Sequence, residues 1–136
     1  MVSAQQAYDQ ARPGDYTIGW KLDRVQREEL LSRLPPRYPE VVADHVTLRS
    51  KVEERSSLPG ETNGAIVGFS DDGRGVEAMV VSIGETTARP DGGTYHITWS
   101  LAEDRTAHES NDVIAAFGWR PVEPPIPVRL EPQRFP

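Results

Sequence analysis

Apolar and polar residues alternate along Tyr16-Thr17-Ile18-Gly19-Trp20-Lys21-Leu22, as in a strand with one buried face. Asp23 then stands as an N-cap with Gln26 three residues on, the spacing of a capping box. A helix is expected through Val25, Glu28, Leu30, Leu31 and Leu34, stopped by Pro35-Pro36. The pattern returns to a strand from Val41 to Leu48, so a strand–helix–strand unit fills the first third. Residues 52–64 are polar and rich in turn formers, and read as a surface loop. A hairpin is expected from Ala65–Phe69 and Val76–Ile83 across the turn Ser70–Gly75, and Pro90-Asp91-Gly92-Gly93 turns the chain into a strand over Thr94–Ser100. Thr106–Phe117 has helical character, with Ser110 or Asn111 as cap and Gly118 as stop, and Ile126–Leu130 alternates as an edge strand that tolerates its proline. Residues 1–14 are polar up to Pro13-Gly14 and read as an N-terminal tail with at most a helical turn, leaving 15–136 as a single domain.

Composition narrows the class. At 136 residues and 37% apolar content, the chain supports one domain with a modest core, and its 12 prolines and 11 glycines predict many turns and short elements. A formal charge of −6 argues against broad nucleic-acid binding, which needs a basic face to release counterions, but leaves room for a small anionic ligand or one RNA end in a local basic pocket. With 0 cysteines, disulfides and thiolate metal sites are excluded. No transmembrane-length apolar run and no signal-peptide layout are visible, so a cytoplasmic, monomeric protein without a membrane partner is expected.

Two of the chain's 3 histidines fall in matching tetrads, His45-Val46-Thr47-Leu48 and His96-Ile97-Thr98-Trp99. Each lies in an expected strand, where successive side chains point to opposite faces. His and Thr of a tetrad therefore share one face, while the apolar pair faces the core. Two such strands side by side supply two imidazoles and two hydroxyls to one cleft. Extending the first front face at period 2 adds Arg49 and Lys51, and extending the second adds Ser100.

This set suits a phosphodiester. A neutral imidazole accepts a proton while a charged one donates it, hydroxyls bind phosphoryl oxygens, and a cation offsets their charge. Arg49 and Lys51 either stabilise that charge or solvate a strand end. Zinc is the competing chemistry, with His108 as a third ligand, but no His-Glu-x-x-His spacing or acidic cluster supports it, and His108 reads as a surface or cap residue. Trp20 and Tyr95 read as packing residues.

The paired tetrads resemble the signature of the 2H phosphoesterase superfamily. Their flanks are closer still to the cyclic phosphodiesterase domain of fungal and plant tRNA ligases, where a lysine follows the first motif, here Lys51. The second motif is similar to Tyr95-His96-Ile97-Thr98-Trp99 followed by Ala102–Ala107. The similarity spans residues 16–130, with a His45-to-His96 interval short for the family. It implies an α+β fold of two lobes, each an antiparallel sheet with outer helices, flanking a central cleft. It also implies metal-independent hydrolysis of 2′,3′-cyclic phosphates at RNA ends or on nucleotides, without a cofactor, leaving a 2′-phosphate. On that expectation His45 and His96 are the acid–base pair, Thr47 and Thr98 hold the phosphate, and Lys51 and Arg49 stabilise charge. The alternative expectation is a non-catalytic module that binds a nucleotide or RNA end. The two motifs are too alike to say which histidine is acid and which is base.

Overall fold

The computed structural model describes residues 2–136. Among them the chain forms α1 (Ala4–Gln10), β1 (Pro13–Leu22), α2 (Arg24–Arg33), β2 (Glu40–Val41), β3 (His45–Val52), β4 (Asn63–Asp71), β5 (Val76–Ile83), β6 (His96–Leu101), a 3-10 turn (Ala107–Glu109), α3 (Ser110–Phe117) and β7 (Arg120–Phe135). The fold is α+β, and every strand pairing is antiparallel. The seven strands make one sheet in the order β2-β6-β3-β1-β7-β4-β5, and β5 also pairs with β6. Six strands thus close into a ring, with β2 appended to β6. The sheet is continuous where two separate sheets were expected, because β7 ties one half to the other.

The edge strand expected over Ile126–Leu130 is part of this longer strand, which keeps an unpaired side along each half but changes partner between them. Residues Arg120 to Arg129 of β7 pair with β4, and Leu130 to Phe135 pair with β1. Each half therefore has a ladder partner on one side only. This accommodates Pro121, Pro124, Pro125, Pro127 and Pro132, since a residue without an N–H can face the unpaired side.

The inner face of the ring carries the core, including Ile18, Trp20, Val46, Leu48, Met79, Val81, Ile97 and Trp99. Trp20 and Trp99 are fully buried, and each finds a partner for its indole N–H: Glu61 O and Leu34 O respectively, both at 2.8 Å. A one-residue slip of β3 or β6 would turn these apolar side chains outward and bury histidine and threonine instead. Core burial thus fixes which face the tetrads present.

On the outer face, α3 covers β4 and β5 and reaches the end of β6: Val113 packs with Val76 and Leu101, and Ile114 with Ala78, Val80 and Val67. Asp23 caps α2 as expected, accepting from Gln26 N at 2.9 Å. Gln26 does not complete a capping box, because its amide is bound to β7 through Pro127 O and Arg129 N.

Two further segments differ from expectation. Among residues 1–14, those from Ala4 to Gln10 form a helix, closed by a reciprocal capping box between Ser3 and Gln6. Ala4, Ala7 and Ala11 bury in the main core, so this stretch is docked and not a loose tail. Met1 lies outside the described residues. The strand expected over Val41–Leu48 is split in two at Ala43, whose φ of 41° turns the chain between β2 and β3. No helix among the described residues is long and apolar enough to cross a membrane.

Candidate active site

The tetrads meet where β3 pairs with β6, with Val46 opposite Ile97. Antiparallel register then places His45 across from Thr98 and Thr47 across from His96. The four polar side chains share the outer face, with the two histidines on a diagonal roughly 7–8 Å long at the backbone. Gly19 lets β1 approach the backbone of β3 closely beside this pair, since a Cβ there would lie 2.2 Å from Val46 O. All four residues line one cleft of about 580 Å³. Tyr8, Thr17 and Phe135 wall one side; Arg89, Asp91, Ala107 and Asn111 wall the other.

His45 is half-buried and set by its chain neighbour. Its Nδ1 lies 3.0 Å from Asp44 Oδ2, and the Asp44 carboxylate also takes hydrogen bonds from Lys21 and Arg24. Burial, the largest influence on Asp44, pushes its pKa up, but the bonds from Lys21, Arg24 and His45 outweigh it and hold the group far below the usual range. The ionised carboxylate accepts, so Nδ1 carries the proton and Nε2 is the free nitrogen. The His45 ring packs edge-on against Phe135 at 4.9 Å between centroids. Burial lowers the His45 pKa; Asp44 partly opposes this, and the charges of Lys21 and Arg24 add to the lowering.

His96 is deeper, at 9% exposure. Its Nδ1 lies 2.8 Å from Thr94 O, and a carbonyl only accepts, so here too Nδ1 is the donor and Nε2 the free nitrogen. Burial lowers its pKa most. The Thr94 bond opposes that effect, while Arg89 and His45 lower the value further and Asp91 raises it. The two rings are thus close enough for the charge on one to disfavour charge on the other.

No family model, curated protein or solved structure matches this chain. The functional reading rests on the cleft.

The two threonines are not equivalent. Thr98 Oγ1 donates to Ala107 O at 3.2 Å and sits 2.7 Å from Ser110 Oγ, so its hydroxyl clamps the 3-10 turn and the start of α3 onto β6. Thr47 makes no such bond to the described residues and lies half-buried in the cleft, with its hydroxyl available. The Thr98 hydroxyl is already committed to protein partners.

The cations also depart from the expected arrangement. Arg49 reaches the cleft, but its Nη1 donates to Tyr8 O at 2.6 Å and its guanidinium stacks over the Tyr8 ring, so much of it is used to dock α1. Lys51 is exposed and does not line the cleft. Its φ of 58° breaks the alternation, and the β1–β3 register is irregular there. Period 2 fails at that point, so the front face ends at Arg49.

Arg89 supplies the cation that sequence reasoning missed. Its side chain is 11% exposed and lines the cleft, held by Asp91 (Nε to Oδ1, 2.9 Å) and Asn111 (Nη2 to Oδ1, 3.0 Å). Burial pushes Asp91 up, yet the bonds from Arg89 and Gly93 more than offset it, and its pKa is lowered. The only sequence signal was position: Arg89 opens the turn leading into the His96 strand. Asp44 was missed as well, although its place directly before His45 was visible. His108 is exposed at the cleft rim, and among the described residues no three His, Cys, Asp or Glu side chains form a metal-binding group.

Proposed function

We propose that the cleft is a metal-independent 2′,3′-cyclic phosphodiesterase site of the 2H type, acting on cyclic phosphates at RNA ends or on nucleotides. The observation that carries this reading is the Val46–Ile97 pairing, which brings two imidazoles with fixed tautomers and free Nε2 atoms to one cleft. A ligand that needs only to be bound does not require two titrating rings. Mutual repulsion favours the singly protonated pair, the state in which one ring is an acid and the other a base.

In this mechanism His45 carries the proton, because the ionised Asp44 supports an imidazolium better than the carbonyl that faces His96. His96 Nε2 removes a proton from water as its oxygen bonds to phosphorus. The bond from phosphorus to the 3′ oxygen breaks in line, and His45 Nε2 protonates that oxygen, leaving a 2′-phosphate. Thr47 and Arg89 hold the phosphoryl oxygens. Opposite placement of water and leaving group fits two histidines set on a diagonal.

Binding without turnover is the second reading, and the Thr98 hydroxyl favours it by removing one expected phosphate donor. Kinetics separates the two. His45→Ala and His96→Ala are each expected to lower turnover of 2′,3′-cyclic AMP by about 10²- to 10⁴-fold with the circular dichroism spectrum unchanged. Near-normal turnover in either variant would sink the two-histidine mechanism, and absence of turnover in the wild type would favour the binding module.

A further inference from the structure

The catalytic cleft does not end at His96. A second cavity of about 620 Å³ shares Arg89, Asp91, His96, His108 and Asn111 with it and runs on to Trp119. The two cavities form one groove, wider than a terminal cyclic phosphate and its nucleoside require.

Trp119 is built as a platform at the far end. It is 39% exposed, whereas Trp20 and Trp99 are fully buried. Its six-membered ring lies against Gly68, where a Cβ would come within 2.1 Å of Cε3. The backbone before it is also fixed: Gly118, with φ 69°, ends α3, and Ser70 Oγ donates to Gly118 O at 2.7 Å. The indole is therefore held on bare backbone at Gly68, and its remaining surface is shared among the groove, a smaller cavity beside Phe69, Phe117 and Arg120, and solvent.

We infer that this groove takes the nucleotide preceding the terminal one, with its base stacked on Trp119. The substrate class is then a single-stranded oligonucleotide ending in a cyclic phosphate, and a free cyclic mononucleotide is the poorer ligand. The inference rests on the proposed chemistry for placing the terminal phosphate between His45 and His96. Arg89, which holds the terminal phosphate in the proposed site, also lines the second cavity, so its charge lies between the terminal phosphate and the linking one. Stacking on an aromatic face tolerates any base, so the groove selects for length and not for sequence. The acidic chain as a whole fits a contact this short, since a long RNA track would need an extended basic surface.

The test is calorimetric titration with a tetranucleotide bearing a terminal 2′-phosphate and with the matching mononucleoside 2′-phosphate. One stacked base is worth roughly 5- to 150-fold in affinity. The wild type is expected to prefer the tetranucleotide by a factor in that range. Trp119→Ala should bring the ratio of affinities towards one, and Trp119→Phe should keep most of it. Gly68→Ala, which displaces the indole without removing it, should also reduce the ratio. No preference in the wild type, no measurable tetranucleotide binding, or a preference unmoved in Trp119→Ala would overturn the inference. Absence of cyclic-phosphate turnover with the length preference intact would overturn the catalytic reading and leave the groove standing.

Discussion

The two threonines of the tetrads are interchangeable in sequence and should be distinguishable by substitution with valine. Valine keeps the shape of threonine and removes its hydroxyl. In Thr98→Val, Ala107 O loses a donor and the fully buried Ser110 hydroxyl loses its partner. Ala107 O keeps the Ser110 N–H, so the cost falls on the Ser110 hydroxyl, and leaving one such buried group unpaired costs about 1–3 kcal/mol. For a chain of 136 residues, each kcal/mol shifts Tm by roughly 3–5 °C, so a drop of about 3–15 °C is expected. Thr47→Val breaks no such bond and should stay within about 0.5 kcal/mol of the wild type. Its deficit belongs to phosphate binding. A hydrogen bond to a charged group is worth about 1.5–3 kcal/mol, which is roughly a 10- to 150-fold loss of kcat/KM. Thermal melts and steady-state kinetics on 2′,3′-cyclic AMP read both quantities on the same samples. Equal destabilisation in the two variants, or lost turnover in Thr98→Val with none in Thr47→Val, would refute the assignment.

Further expectations follow from the histidine environments. Burial lowers both imidazole pKa values below the ordinary 6.5, so the singly protonated pair is most populated on the acid side of pH 6.5, and kcat/KM should peak there and fall as pH rises. A rate–pH profile with its maximum above pH 7 would contradict this. Stability has the same origin: the unfolded chain binds protons at these two sites more tightly than the native state, so their contribution is intact above pH 6.5. It is lost as pH falls from there through the lowered native values, which denaturant titrations across the range will show as a decreasing midpoint. Asp44→Asn removes the carboxylate that raises the His45 pKa, so the basic limb of the kcat/KM profile should move to lower pH while thermal stability changes little beyond the loss of half-exposed ion pairs. An unmoved limb would mean that Asp44 has no influence on the acid.

The site's face was legible because Val46/Leu48 and Ile97/Trp99 alternate with His and Thr, and burying those apolar pairs leaves only one orientation for the polar ones. The pattern stopped being informative where the backbone left the ideal strand. Nothing in Arg49-Ser50-Lys51 announces a left-handed residue, so Lys51 counted as a front-face cation while the chain had already turned it away. The N-terminal helix was obscured for another reason. Its inward residues are Ala4, Ala7 and Ala11, spaced for a helix but too small to stand out as an apolar stripe. In β7 the prolines pointed correctly to an unpaired edge, but each half of the strand has its own unpaired side, an exchange of partners that periodicity does not register. Arg89 lay hidden in a turn, since side chains that reach a cleft from a loop carry no period.

The central claim is that His45 and His96 together hydrolyse a cyclic phosphate, and product analysis tests it most directly. The wild type and the His45→Ala/His96→Ala double variant would be incubated with 2′,3′-cyclic AMP in EDTA, and products separated against 2′-AMP and 3′-AMP standards. The wild type is predicted to accumulate 2′-AMP at a rate that the double variant lacks. Equal rates in the two proteins, or no product from either, would contradict the account.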